Sequence, residues 1–195
     1  MILLAYPAHA TTTYCGSGCS EIDNGTQFSV DTASLTGTPI LFSGSIDPST
    51  GYTYDGVTFT DSTFGGGSNL WLSSGSLVDG KYGIDISLPS TVIAFSMTFN
   101  LPGSGTVSFS SPTYFNTSLG GSNLFFAALS SSAFSGLALA DASGVTIKSF
   151  EIFTEGSGGS DSETPEESTL ILIGAGLITL RLLRRKRSDA IPASA

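Results

Sequence analysis

Between Thr91 and Leu101 the chain alternates: Ile93, Phe95, Met97, Phe99 and Leu101 are apolar, while Ala94, Ser96, Thr98 and Asn100 between them are small or polar. A helix would scatter the five apolar side chains around its axis, whereas a strand puts them on one face. The segment therefore predicts a half-buried strand, ended by Pro102-Gly103. Shorter versions of the pattern recur. Phe28 and Val30 alternate with polar neighbours, and Pro39 to Phe42 and Ile46 follow. Asp47-Pro-Ser-Thr-Gly51 reads as a turn before Tyr52, Tyr54, Val57 and Phe59; Phe64 to Gly67 reads as a loop, and Asn69 to Leu72 as a strand. After a turn at Asp79-Gly80, Tyr82, Ile84, Ile86 and Leu88 are expected to point one way. Val107 with Phe109, Leu124 to Leu129, Leu137 with Leu139, and Val145, Ile147, Phe150 and Ile152 bring the set to about ten strands, with no amphipathic helix. The expected fold class is all-β, an antiparallel β-sandwich.

Composition agrees, with 24 glycines and 13 phenylalanines against two methionines. Charge then narrows the partners. Between Thr11 and Thr164 the only cations, Lys81 and Lys148, face 13 carboxylates, a balance of −11. Such a surface repels polyanions, which excludes a nucleic-acid partner.

Residues 1–10 end in Ala8-His9-Ala10, a small-x-small triplet like a signal-peptidase site, but lack a basic start and a full apolar stretch. They are read as the remnant of a signal peptide whose frame begins upstream, the competing reading being an ordinary first strand. Cys15 and Cys19 are the only cysteines, spaced Cys-Gly-Ser-Gly-Cys. They fit a small disulfide loop in an oxidising compartment better than half a metal site, because His9 is the only other nitrogen or sulfur ligand of that kind and cleavage removes it.

Loss of His9 leaves the mature chain without histidine, so Ser-His-Asp and Cys-His schemes lack their base. Glycoside hydrolysis needs only two carboxylates. No pair is singled out, and no catalytic residue, cofactor or metal is expected. Asp47, Asp55 and Asp61 fall close together, but without an Asp-x-Asp-x-Asp-Gly loop they read as turn-capping acids rather than calcium ligands. Gly65 to Gly67 has no Lys-Ser/Thr after it and reads as a loop rather than a phosphate cradle. Trp71, Tyr52, Tyr54, Tyr82 and Tyr114 could stack on sugar rings; Trp71, between Leu70 and Leu72, reads equally as core.

The C-terminus consists of three blocks. An acidic turn, Glu163 to Ser168, precedes an apolar run of Thr169, Leu170, Ile171, Leu172, Ile173, Gly174, Ala175, Gly176, Leu177, Ile178, Thr179 and Leu180. Arg181, Arg184, Arg185, Lys186 and Arg187 then hold five of the chain's seven cations. A helix from Ser168 to Leu183 at ~1.5 Å per residue spans about 24 Å, short of the ~30 Å hydrocarbon core. A buried core helix is thus also open. The unbroken apolar surface and the abrupt basic stop favour a single transmembrane helix with the body outside and the tail inside.

Pro165, Glu166, Glu167 and Ser168, the Gly-Ala-Gly-bearing run and the basic cluster together resemble the PEP-CTERM sorting signal of exported proteins in Gram-negative bacteria. Glu167 stands where that family usually has a second proline, and residues 188–195 extend past the usual end. The resemblance implies recognition by exosortase, an inner-membrane intermediate, and delivery to the outer membrane, cell surface or extracellular matrix. The segments Ser122 to Leu129, Phe134 to Leu139 and Ser143 to Phe150 are similar to the C-terminal half of jelly-roll domains common in such proteins, with Lys148-Ser149 replacing Asp-Asn. The expected organisation is a signal remnant at 1–10, a jelly-roll-like sandwich at 11–153, a flexible acidic Gly/Ser linker at 154–164, a sorting signal at 165–187 and a tail at 188–195. The function so implied is a non-enzymatic structural or adhesive component of the envelope or exopolysaccharide matrix; the alternatives are a lectin-like carbohydrate-binding module and, third, a secreted glycoside hydrolase.

Overall fold

The alternating segment lies inside the longest strand of the fold, in a computed structural model that describes residues 10–62 and 66–156. The described elements are β1 (Thr11–Cys15), β2 (Glu21–Ile22), α1 (Thr26–Asp31), β3 (Leu35–Ile40), β4 (Tyr52–Tyr54), β5 (Val57–Asp61), β6 (Leu70–Ser73), β7 (Ser76–Asp79), β8 (Tyr82–Ser87), β9 (Val92–Phe109), β10 (Phe115–Ser130), β11 (Gly136–Asp141) and β12 (Val145–Glu155). The expected sorting signal and membrane helix at 165–187 lie outside the described residues. No helix among those described is long and apolar enough to cross a membrane.

The strands form an all-β sandwich in which β9 and β10 run through both layers. The first half of β9 lies between β10 and β12, pairing Met97 with Phe126 and with Phe150; β12 in turn pairs with β3 and with β7, which carries β6. The second half of β9 pairs with β11, and the layer continues through β8 and β5 to β4. Pro102-Gly103 therefore bends this strand instead of ending it. Pairing with β10 is irregular there, so the missing proline N–H breaks no regular ladder, and the Gly103 N–H is taken by the Asp141 carboxylate at 2.8 Å. Gly120 leaves room for this corner, since a Cβ on it would stand 2.6 Å from the Gly103 carbonyl oxygen.

Phenylalanines fill the space between the layers. The Phe95 ring lies 5.0 Å from Phe134, 6.0 Å from Phe126 and 6.1 Å from Phe150, and Phe150 meets Phe59 of the opposite layer edge-on at 5.5 Å. Each is fully or almost fully buried, which stabilises the fold by about 1.5–3 kcal/mol per side chain.

Phe28 and Val30 lie in α1 rather than in a strand. Gly25, with φ 103°, turns the chain, and the Asp23 carboxylate accepts the N–H groups of Gln27 and Phe28 at 3.1 and 2.8 Å. These bonds satisfy donors that a helix start leaves open. Phe28 is buried while Val30 is 65% exposed, the two sides of a helix turn. Phe28 packs on the outer face of the first layer against Tyr14, Phe125 and Phe153. Two further departures concern strand limits: Ser76–Asp79 is a strand that the pattern did not mark, and β12 reaches Glu155, so Thr154 and Glu155 pair with β3 instead of opening a linker.

Candidate functional site

The second layer carries a shallow depression on its outer face. Strand alternation turns Ile84 and Ile86, Leu137 and Leu139, and Val107 and Phe109 into the core, so Asp85, Ala138 and Ser108 face outward. Register then aligns them: Ala138 stands opposite Asp85 on one side and Ser108 on the other. Thr60 continues the row beyond Asp85, and Asn116 continues it beyond Ser108. At ~4.8 Å between strands the row is about 19 Å long. The depression, about 320 Å³, is lined by Asp85, Ser108, Ser110, Tyr114, Ser135 and Ala138 among others.

Small residues make this face accessible. Gly83, with φ 136°, lies so close to β11 that a Cβ would stand 2.0 Å from the Leu139 carbonyl oxygen. The methyl of Ala138 leaves the floor low. Tyr114 rises at the rim, 76% exposed, and its hydroxyl accepts a hydrogen bond from Asn116 Nδ2 at 3.4 Å. Asp85 is half-buried, and its carboxylate has no hydrogen-bond partner among the described residues. Burial, and secondarily the charge of Asp61, raise its pKa above the usual carboxylate range. The arrangement is an aromatic ring, one charged acceptor and several hydroxyls around an open floor.

The other proposed sugar-stacking residues are dispersed. Tyr52 is buried, with its hydroxyl tied to the Leu41 carbonyl and to Ser43, so it is a core residue. Tyr54 is half-buried in β4. Trp71 is 48% exposed and covers Gly80 at the β7–β8 turn. Tyr82 does not share the inward face of Ile84, Ile86 and Leu88: its φ of 75° swings it out to 49% exposure.

Asp47, Asp55 and Asp61 do not form a shared site. Asp47 accepts the N–H groups of Ser49 and Thr50, closing its own turn, and Asp55 with Gly56 forms the positive-φ hairpin between β4 and β5. Asp61 is buried and accepts a hydrogen bond from Asn69. No group of three or more His, Cys, Asp or Glu side chains converges among the described residues. Cys15 and Cys19 are bonded to each other beside the start of β2. Gly66 and Gly67 press on the backbone of the Asp47 turn, the loop role expected of them.

Sequence reasoning named Tyr114 but missed Asp85. The signal was present: an aspartate between Ile84 and Ile86 is a disfavoured residue at the outward position of a strand.

No family model and no curated protein matches the chain. Among solved structures it is similar to a mutant of a family 29 carbohydrate-binding module complexed with mannohexaose, at 15% identity and TM-score 0.40, covering 62% of this chain and 92% of that one. Another family 29 carbohydrate-binding module overlaps at 14% identity and TM-score 0.39, covering 61% of this chain and 90% of that one.

Proposed function

We propose that the domain is a jelly-roll-like, non-catalytic carbohydrate-binding module, and that its ligand is a neutral glycan chain lying along the row from Thr60 to Asn116. The observation that carries this reading is the Asp85 carboxylate, without a hydrogen-bond partner among the described residues, in a floor of hydroxyls and methyls, with Tyr114 exposed at the rim. A pyranose offers an apolar C–H face to the Tyr114 ring and hydroxyl donors to Asp85, the latter giving charge-assisted hydrogen bonds. Ser108 and Ser110 supply rotatable hydroxyls that donate or accept as needed. The acidic surface disfavours uronic or sulfated chains, which restricts the ligand to uncharged polymers.

Among the described residues Asp85 is the only carboxylate lining the depression, whereas glycoside hydrolysis uses two, and this supports binding without turnover. Export of the module to the cell surface, through an inner-membrane intermediate processed by exosortase, is a separate proposal that rests on the three C-terminal blocks. The disulfide suits such a destination.

Titration calorimetry against neutral oligosaccharides tests the ligand class. Saturable binding is expected, weakened about tenfold by Asp85→Asn, roughly 1.4 kcal/mol. Absence of binding across glucan, mannan and galactan oligosaccharides would refute the module. Release of new reducing ends, abolished by one Asp or Glu substitution, would indicate a hydrolase instead.

A further inference from the structure

Strand β12 changes partner part-way along the edge that faces away from β9. Val145 to Ile147 pair with β7 and Phe150 to Glu155 pair with β3, so Lys148 and Ser149 pair with neither. Pairing with β9 is irregular at the same point, between Ile147 and Ser149. The gap so left is a notch of about 500 Å³, bordered by Gly75 of the β6–β7 turn and by Leu41 to Ser43. That last stretch is fixed by Tyr52, whose hydroxyl donates to the Leu41 carbonyl and accepts the Ser43 N–H at 3.1 Å. The volume falls within the roughly 300–1,000 Å³ typical of small-molecule sites.

Strand alternation lines the notch with acceptors. Phe150 and Ile152 turn into the core, so Ser149 and Glu151 face outward, and Ser96 of β9 stands opposite Glu151. Glu151 is half-buried, and its Oε1 leans over Gly37, where a Cβ would stand 2.6 Å from it. The Glu151 carboxylate and the Ser96 and Ser149 hydroxyls have no hydrogen-bond partner among the described residues. Lys148 forms no ion pair with this carboxylate: its ammonium donates to Asn123 Oδ1 of β10, on the far side of β9. An apolar wall lies beside these groups, with Pro39 opposite Glu151 and Leu41 beyond it, 56% exposed.

We propose that the notch binds a primary ammonium group carried on an apolar stem, as in an amino sugar or an alkyl amine. An ammonium has three donors and no acceptor, which suits a carboxylate flanked by hydroxyls, and a hydrogen bond between two ionised groups is among the strong ones. The stem covers Leu41 and Pro39, apolar area that otherwise faces water. The balance of −11 between Thr11 and Thr164 draws cations toward the body and turns anions away. An amino sugar would also reach Ser43 and Lys148 with its ring hydroxyls; an alkyl amine would not. The notch lies in the first layer and the row from Thr60 to Asn116 in the second, so this site stands whether or not that row binds a glycan.

The experiment follows backbone amide shifts of the ¹⁵N-labelled full chain as a glucosamine disaccharide, its N-acetylated form or n-butylamine is added at neutral pH. Saturable shifts at Leu41, Ser96 and Ser149 are expected with both amines. The N-acetylated sugar, which keeps the ring and loses the charge, should bind there at least tenfold more weakly. Tighter binding of glucosamine than of butylamine would name the amino sugar as the source; equal or weaker binding would name the alkyl amine, and either result upholds the site. Glu151→Gln, of the same shape but uncharged, should lower amine affinity at least tenfold. Leu41→Lys sets a like charge at an exposed position and should do the same with melting unchanged, so the proposal does not depend on one variant folding. Shifts confined to Asp85, Ser108 and Ala138 would overturn the notch and leave the glycan row standing. No saturable shift with either amine, equal binding of the N-acetylated sugar, or amine affinity unchanged in Glu151→Gln would overturn it as well.

Discussion

On the outer face of the first layer, β1, β9 and β10 present Tyr14, Ala94 and Ala127, and α1 lays Phe28 across them, flanked by Leu35, Phe125, Leu129 and Phe153. On the outer face of the second layer the equivalent outward positions of β8, β11 and β9 carry Asp85, Ala138 and Ser108, with no described helix over them. The strands alternate in the same way in both places, and β9 contributes to both. What differs is the residue set at the outward positions. An aromatic and methyl face recruits a lid because leaving it wet forfeits burial energy, whereas a face of hydroxyls, one methyl and one carboxylate is stable in water and remains open to a ligand.

This contrast can be broken at several points. Phe95→Ala removes a buried ring that packs on Phe126 and Phe150 of the first layer and on Phe109 in the second half of β9, and should cost about 3–5 kcal/mol, abolishing the lid and the open face together; chemical denaturation measures it. Phe28→Ala separates the faces: a loss of about 3 kcal/mol is expected from the smaller cluster, with oligosaccharide affinity unchanged in the residual folded protein. Tyr114→Ala is the converse, lowering affinity about tenfold while stability stays within about 0.5 kcal/mol, because the ring is exposed.

The smallest effect concerns the start of the lid. Slight burial acts to raise the Asp23 pKa, but backbone N–H groups of Phe28, Gln27, Asn24 and Gly25 outweigh it and hold the pKa below the usual carboxylate value. A depressed folded pKa contributes stability above the unfolded value near 3.8, lost as pH falls through the folded value. Asp23→Ala should cost about 1 kcal/mol at neutral pH and flatten acid unfolding below about pH 4. The Asp85 pKa is raised, so glycan affinity should begin to fall at a pH above the ordinary carboxylate range.

Much of the inner core was legible in the sequence, because alternation in β9 and the Leu-x-Leu and Ile-x-Ile pairs of β11 and β8 report inward faces directly. The lid was not. Over three residues Phe28-Ser-Val30 fits a strand as well as a helix, and only the Asp23 bonds decide between them. Pro102-Gly103 misled because a proline stops a regular ladder but is tolerated at a corner where the partner strand is also irregular. Tyr82 followed the period of β8 but sits at a positive φ that no period reveals. Of the site, Tyr114 could be named from its type; the alignment of Thr60, Asp85, Ala138, Ser108 and Asn116 depends on register between strands distant in the chain.

Ala138 lies in the middle of that row, and an arginine there would fill the floor from the solvent side without entering the core. The decisive measurement is calorimetric titration of the tightest-binding neutral oligosaccharide into Ala138→Arg and, as a control on the lidded face, Val30→Arg. Binding lost in Ala138→Arg and retained in Val30→Arg, with both melting as wild type does, is the predicted result. Undiminished affinity in Ala138→Arg would contradict the assignment of the open sheet face as the ligand site.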